Sequence, residues 1–403
     1  MDREFDVVVW GATGFTGRRI VKDLSNSYGP DGQISWAAAG RSEEKLRAVC
    51  AEAGAPDATI IVADSADQPE IDAMARRAKL VIAAAGPYAD FGSSTVAACA
   101  AAGTDYVDIT GELTWVRSMI DQYADLAEAS GARIVHCCGF DCIPFDHGVL
   151  FTQKIAQETF GEVAQEVLGR IKAVKVAPSG GSAATAMSIM NARHQDSEID
   201  QLMDDPFALA PDPEAQRSEQ PDARAPRLDP ETGTWAVEFP MSMMNMAIVH
   251  RSNMLLGYPY GQDFTYSEML AVRSQKSAQR RQRIQAFALR ILSLPPAQAL
   301  AKRFLLPKQG DGPSSEKLAE GFFVVDFIAK GPAGKTIRTR VKCDLDPGYI
   351  ATPLMTIEAA MSLLQDTPRE VTPGGIYSPA AALKEPFIER LEKSAGLLFQ
   401  HVE

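Results

Sequence analysis

What the sequence has little of narrows the field first. Six cysteines (Cys50, Cys99, Cys137, Cys138, Cys142 and Cys343) are scattered over 403 residues, which is no disulfide framework. No stretch approaches the ~18 continuous apolar residues of a membrane span. The opening residues, MDREFDVVVWG, put charges directly before a strand and a glycine turn, with no apolar leader core. A reducing cytoplasm is the expected compartment. Positive charge is in deficit: a net charge of -12 argues against a general grip on nucleic-acid phosphates, so no nucleic-acid partner is expected.

What is present is an ordinary globular composition, 46% hydrophobic and 23% charged, on a chain long enough for about two domains. Up to about residue 145, apolar runs alternate with helical patterns. The runs at Phe5–Trp10, Ile34–Ala39, Thr59–Ala63, Leu80–Ala85, Tyr106–Ile109 and Arg133–Cys137 read as buried strands of a parallel sheet. The expected fold is α/β: an N-terminal doubly wound Rossmann sheet over residues 1–145, then an α+β domain over 146–355 with a largely antiparallel sheet. Residues 165–178 and 234–249 read as strand-rich, and 321–329 with 335–345 as a hairpin. Residues 204–233, rich in Pro, Asp and Glu, read as a surface loop. The end, 356–403, reads as helices packing back on the first domain, with Thr356–Gln365 and Pro379–Ala395 the helical stretches.

Gly11-Ala12-Thr13-Gly14-Phe15-Thr16-Gly17 follows the first strand and opens a helix. Glycines at this spacing allow a tight turn, a close approach of backbone amides to a pyrophosphate, and close helix–strand packing. The second strand, ISWAAAG, ends in Arg41-Ser42 instead of the acid that bonds a ribose 2′-hydroxyl. A guanidinium and a hydroxyl suit a 2′-phosphate, so NADP(H) is the expected cofactor. The alternative is that Arg41 is merely a solvated helix-start residue. Asp64, after the third strand, and Ala85-Gly86-Pro87-Tyr88, after the fourth, complete the expected cofactor contacts.

Ligands of open α/β sheets gather beyond the carboxyl ends of the strands. Tyr88, Glu112 and Asp141 follow the fourth, fifth and sixth strands and are the candidate catalytic groups. Each has a structural alternative: Tyr88 as a packing residue, Glu112 and Asp141 as caps on backbone amides. His136, Cys137, Cys138, Cys142 and His147 crowd together, but adjacent strand residues point to opposite faces and no second Cys pair completes a tetrahedron, so no metal is expected. No tyrosine is followed four residues later by lysine, which removes carbonyl reduction by a Tyr-x-x-x-Lys pair.

Several segments together resemble the saccharopine dehydrogenase-like oxidoreductases, and most of all their actinobacterial branch, the trans-acting enoyl reductases. The likeness spans essentially the whole chain. It rests on WGATGFTG with AAGRS, AAAGPYADFGSSTVAACAAAGTDYVDITGE, HCCGFDCIPFDHG, SGGSAATAM, VHRSNMLLGYPYGQDFTYSEML, DPGYIATPLMTIEAA and GGIYSPAAAL. The block around Arg251-Ser252-Asn253 and Tyr258-Pro259-Tyr260-Gly261 points to the enoyl-reductase branch. The resemblance implies reduction of a double bond conjugated to a thioester, with hydride to the β-carbon. A donor such as Tyr88, or a bound water, would steady the enolate oxygen, and a second group would protonate the α-carbon. It also implies lipid or polyketide acyl intermediates, carrier-bound or not. A saccharopine- or opine-type amino-acid dehydrogenase and an NADP-binding regulator without turnover are the competing readings.

From Met269 through Gly310 there is no Asp or Glu, yet Arg273, Lys276, Arg280, Arg281, Arg283, Arg290, Lys302, Arg303 and Lys308 all fall there. Ile284, Phe287, Ile291 and Leu294 recur at helical spacing, and Pro295-Pro296 would end the helix. Such a segment suits an anionic membrane surface, through 273–303, or an acidic carrier protein. The plainer alternative is a solvated helix packing its apolar stripe on its own domain. A homodimer is left open.

Overall fold

The computed structural model describes residues 3–29, 32, 34–177, 197–210, 212, 217–222, 224–292 and 312–402. The chain forms two compact units. The first is Met1–Phe140 with Gly348–Ala395, and the second Asp141–Pro347 with Gly396–Glu403. The strands in chain order are β1 (Phe5–Trp10), β2 (Trp36–Gly40), β3 (Thr59–Val62), β4 (Ala78–Ala83), β5 (Asp105–Asp108) and β6 (Arg133–Val135). Then come β7 (Glu166–Lys175), β8 (Arg227–Leu228), β9 (Trp235–Glu238), β10 (Thr265–Val272), β11 (Phe322–Lys330) and β12 (Thr336–Cys343). The last two are β13 (Gly375–Tyr377) and β14 (Leu397–Val402).

The first unit carries a parallel sheet in the order β13-β6-β5-β4-β1-β2-β3, with helices in the connections. Val7, Val8 and Val9 are wholly buried, so β1 is covered on both faces, which explains its unbroken apolar run. The order reverses beside β1, whose neighbours are β2 and β4. Ligands of such sheets bind at that switch point, above the carboxyl ends.

The opposite edge of this sheet is closed by arginines. Arg3 donates to the carbonyls of Ala75, Arg76 and Ala102, Arg133 to those of Leu363 and Thr367, and Arg369 to that of Gly131. These carbonyls lie at or just beyond the ends of the helices Gln68–Arg77, Ser93–Ala102, Thr352–Gln365 and Leu113–Ser130, where the helix leaves acceptors unpaired. Arg133 is itself buried and grips Asp105, with Nε at 3.1 Å and the main-chain N at 3.0 Å from the carboxylate.

The second unit carries a mixed sheet in the order β14-β12-β11-β7-β10-β9-β8, antiparallel except for the β7–β10 pair. The expected hairpin is present, with Lys330 opposite Thr336. Helices Ile143–Phe160 and Ser242–Leu255 pack on this sheet. Two readings are corrected. Residues 234–249 hold one short strand, β9, and then the helix Ser242–Leu255, whose residues from Met244 to Asn253 are all buried. A helix buried all round shows no amphipathic period, so its apolar run passes for a strand. The C-terminal segment contains the expected helices, Thr352–Gln365, Pro379–Leu383 and Pro386–Ser394, but also β13 and β14, one for each sheet. Residues 179–187, which carry SGGSAATAM, lie outside the described residues, as do Leu294, Pro295, Pro296, Lys302, Arg303, Lys308 and part of 204–233. Among the described residues no helix is long and apolar enough to cross a membrane.

Candidate functional site

The turn after β1 is built by its glycines. Gly11 has φ +80°, and a β-carbon there would lie 2.8 Å from the main-chain nitrogen of Ala85. At Gly17 a β-carbon would lie 2.2 Å from the carbonyl oxygen of Gly11. The backbone is thus folded tightly enough to bring Ala12 and Thr13 over the start of the helix Phe15–Tyr28. That helix begins after Gly14 with no side-chain cap and no acid in its first turn. The next two helices are capped by Ser42 and Asp67, with Glu43, Glu44 and Glu70 in their first turns. The uncapped amides, at the positive end of the helix dipole, are placed for a phosphate. Backbone amides so placed have the chemistry to hold the pyrophosphate of a dinucleotide.

Arg41 stands at the end of β2, exposed, and makes no ion pair among the described residues. Its guanidinium is available to a 2′-phosphate. Ser42 is partly used: its hydroxyl oxygen accepts from Lys45 N at 3.4 Å as the helix cap, which leaves the O–H able to donate. Asp64 folds its own turn, its carboxylate accepting from Ala66 N at 3.0 Å. Ala84 N donates to Trp10 O at 2.8 Å, which ties the segment Ala85-Gly86-Pro87 to the glycine turn across the switch point.

Beyond β4 and β5 the candidate groups meet, though in structural roles. Tyr88 is buried against Trp115, ring centroids 5.3 Å apart. Its hydroxyl donates to Ala83 O at 2.8 Å and accepts from Ile109 N at 3.3 Å. In this arrangement it has no hydrogen left for an enolate oxygen. Glu112 is buried and accepts from Tyr88 N at 2.8 Å and Ala89 N at 2.9 Å, capping the short helix Tyr88–Phe91. Burial raises its pKa, while the two amides hold it down.

Sequence reasoning missed the pair behind them. Asp108 Oδ2 lies 2.7 Å from His136 Nδ1, and its Oδ1 accepts from Cys137 N at 2.9 Å and Thr110 N at 3.2 Å. Cys137 is held at φ +66°, a conformation that a non-glycine residue adopts only when its surroundings impose it. His136 packs edge-on to Trp115, and its Nε2 is buried without a partner among the described residues. The signal was the acid that ends β5, beside a histidine that follows β6.

In the second unit, Asp141 precedes the helix Ile143–Phe160. Its half-buried carboxyl has no hydrogen-bond partner among the described residues, and burial pushes it up to about 6. A second buried acid there was also missed. Glu268, in β10, accepts from Tyr266 OH at 2.7 Å and Asn245 Nδ2 at 2.9 Å, and burial pushes its carboxyl up to about 8. The readable sign was an acid inside the otherwise apolar strand TYSEMLAV.

The comparisons agree with this geometry. Residues 7–135 match the saccharopine dehydrogenase NADP-binding domain. A trans-acting enoyl reductase of Mycobacterium ulcerans is 34% identical over 409 residues, spanning 97% of this chain and 96% of its own. One of Mycobacterium tuberculosis is 35% identical over 412 residues, again spanning 97% and 96%. The saccharopine dehydrogenase (L-Glu forming) of Saccharomyces cerevisiae shares the fold, with a TM-score of 0.52 at 12% identity over 98% of this chain and 99% of that one. The chain therefore carries an NADP(H)-binding domain, and it belongs to the trans-acting enoyl reductase branch of the saccharopine dehydrogenase-like oxidoreductases.

Proposed function

We propose that the protein reduces the carbon–carbon double bond of an α,β-unsaturated acyl thioester, with a lipid or polyketide acyl chain. The observation that carries this reading is the near full-length likeness to proteins of that name, joined to an uncapped glycine-turn helix and to an exposed Arg41 that makes no ion pair among the described residues. NADPH, when bound, supplies the hydride for the β-carbon. Residues Gly11 to Gly17 hold the pyrophosphate, Arg41 and Ser42 the 2′-phosphate, and Asp64 the side of the adenosine half. Ala85, Gly86 and Pro87 line the crevice leading to the nicotinamide. Tyr88 and Glu112 keep that crevice in shape by tying the segment after β4 to the end of β5.

Charge that develops on the thioester oxygen needs a donor already in place, and the α-carbon needs a proton. Asp141, with a carboxyl pushed up to about 6, is the group we assign to the second task. A carboxyl of that strength is largely ionised above neutrality, so it donates best in mildly acidic solution. The substrate is presented on an acyl carrier, and the enzyme works in the cytoplasm with peripheral contact to the inner membrane surface through 273–303.

The test is NADPH oxidation with a medium-chain enoyl thioester, run beside aminoadipate semialdehyde with glutamate. Turnover of the first alone supports the reading, with deuterium from labelled NADPH appearing at the β-carbon. Turnover of the second alone assigns an amino-acid dehydrogenase. Tight NADPH binding without oxidation of either assigns a regulator.

A further inference from the structure

The helix Gln275–Leu292 follows β10 and packs against β9 and β10 of its own sheet. Its buried anchor is Ala278, which is fully covered. Phe287 follows Ala278 by nine residues, about 2.5 turns at 3.6 residues per turn, so the two point in opposite directions. Phe287 is accordingly 65% exposed and Ile284 56% exposed. The apolar pair therefore faces away from the sheet, so these two members of the stripe do not pack on it.

Arg273, Lys276, Arg280, Arg281 and Arg283 are all exposed and make no ion pair among the described residues. Arg280 and Arg283 lie four residues, about one turn, before Ile284 and Phe287 respectively, and Lys276 lies a further turn back, four residues before Arg280, since residues three and four apart are neighbours on a helix. No acid occurs from Met269 to Gly310, in a chain whose net charge is -12. A protein so acidic is repelled by anionic surfaces except where its charge is locally inverted.

We propose that the outer face of this helix is a contact site for an anionic phospholipid surface, with Ile284 and Phe287 entering the headgroup–acyl boundary and the flanking cations pairing with phosphates. Cations alone would suit an acidic protein equally well. A large aromatic and a branched aliphatic residue, held out into water between them, suit hydrocarbon. The inference deepens the peripheral contact proposed above and is independent of the reaction, because binding is read without substrate.

The experiment is co-sedimentation of the full chain with phosphatidylcholine vesicles, with and without phosphatidylglycerol. Binding is expected only with the anionic lipid and is expected to weaken with added salt. Replacing Arg280, Arg281 and Arg283 together by Gln lowers partitioning by roughly 100-fold. Ile284→Ser with Phe287→Ser lowers it by about tenfold or more. NADPH affinity stays at the wild-type value in both variants, which shows that they fold. The proposal is overturned if the wild type ignores anionic vesicles, or if either variant binds them as well as the wild type. It is overturned equally if the Ser pair lowers the mass in solution, which would make the face a self-interface. Capture of an acyl carrier protein through the arginines, with no vesicle binding, also overturns it.

Discussion

Replacing Arg41 by Ala separates cofactor selection from cofactor binding. The guanidinium is exposed and unpaired among the described residues, at the end of β2, with Ser42 beside it as the cap of the following helix. Hydrogen bonds to charged groups contribute about 1.5–3 kcal/mol. Two features place Arg41 at the low end of that range. Solvent screens an exposed charge. Glu43 and Glu44 in the first turn of the helix also oppose a phosphate nearby, although Arg47 engages Glu43 at 2.8 Å. A loss of about 1.5 kcal/mol raises the Kd for NADPH roughly tenfold. NADH, which lacks the 2′-phosphate, should bind Arg41→Ala as it binds the wild type. Nicotinamide fluorescence titrations with both cofactors, each at low and high salt, read the difference directly. The salt dependence of NADPH binding should shrink in the variant, because one charge pair has been removed. If both cofactors weaken equally, Arg41 shapes the turn and does not read the phosphate. If neither weakens, the assignment of the 2′-phosphate to this end of the sheet is wrong.

Other outcomes follow from the same structure. Gly17→Ala puts a β-carbon 2.2 Å from a backbone oxygen and should cost about 3 kcal/mol or more in urea melts. Gly14→Ala meets the nearest atom at 3.3 Å with φ at -69°, so it should keep nearly wild-type stability while weakening NADPH and NADH alike by crowding the helix start. Arg133→Met leaves the buried carboxylate of Asp105 without its main partner and should destabilise by about 3–5 kcal/mol, part of which Asp105→Asn should restore. Asp141 holds its proton up to about 6 in the folded protein, against an ordinary value of 3.8, so the folded state binds more protons between those values. Its contribution to stability is therefore present at pH 4 and lost as pH rises through 6. The Tm of Asp141→Asn, compared with that of the wild type, should rise over that interval. A flat difference would refute the burial argument, and an unaltered pH–rate profile in the variant would refute its role as proton donor.

Much of the first sheet was legible because its strands obey one local rule. FDVVVW is buried on both faces and so reads as a continuous apolar run, and the glycine turn that follows has a fixed spacing. The shorter strands β3, β5 and β6 could be placed by their rhythm alone. β13 could not: its three residues lie directly after Pro373 and Gly374, and they become a strand only because Ile134 pairs with Ile376 from far along the chain. β14 was hidden for a similar reason, since Leu397 and Phe399 alternate inward only once β12 is beside them. Tyr88, Glu112 and Asp141 do follow the carboxyl ends of β4, β5 and β6, as their places in the sequence indicated. What local sequence could not reveal is that Tyr88 and Glu112 satisfy one another's segments across 24 residues, or that Asp108 and His136 pair across 28. The direction of the stripe on Gln275–Leu292 was also open, because a period fixes which residues share a face and not which way that face turns.

The interleaving of the two units by the chain's last segment has a consequence for how the protein is made. The first sheet borrows β13 from a point some 240 residues after β6, and the second sheet gains its edge strand β14 from the final residues. Neither unit is finished when the ribosome has released the obvious cofactor-binding portion. A nascent chain ending near residue 145 would present β6 as a bare edge, with the helix Phe15–Tyr28 lacking the helix Thr352–Gln365 that packs on it. Such an edge invites pairing with other chains. The NADP-binding part should therefore resist excision as a stand-alone fragment, and soluble expression should depend on the integrity of the C-terminus.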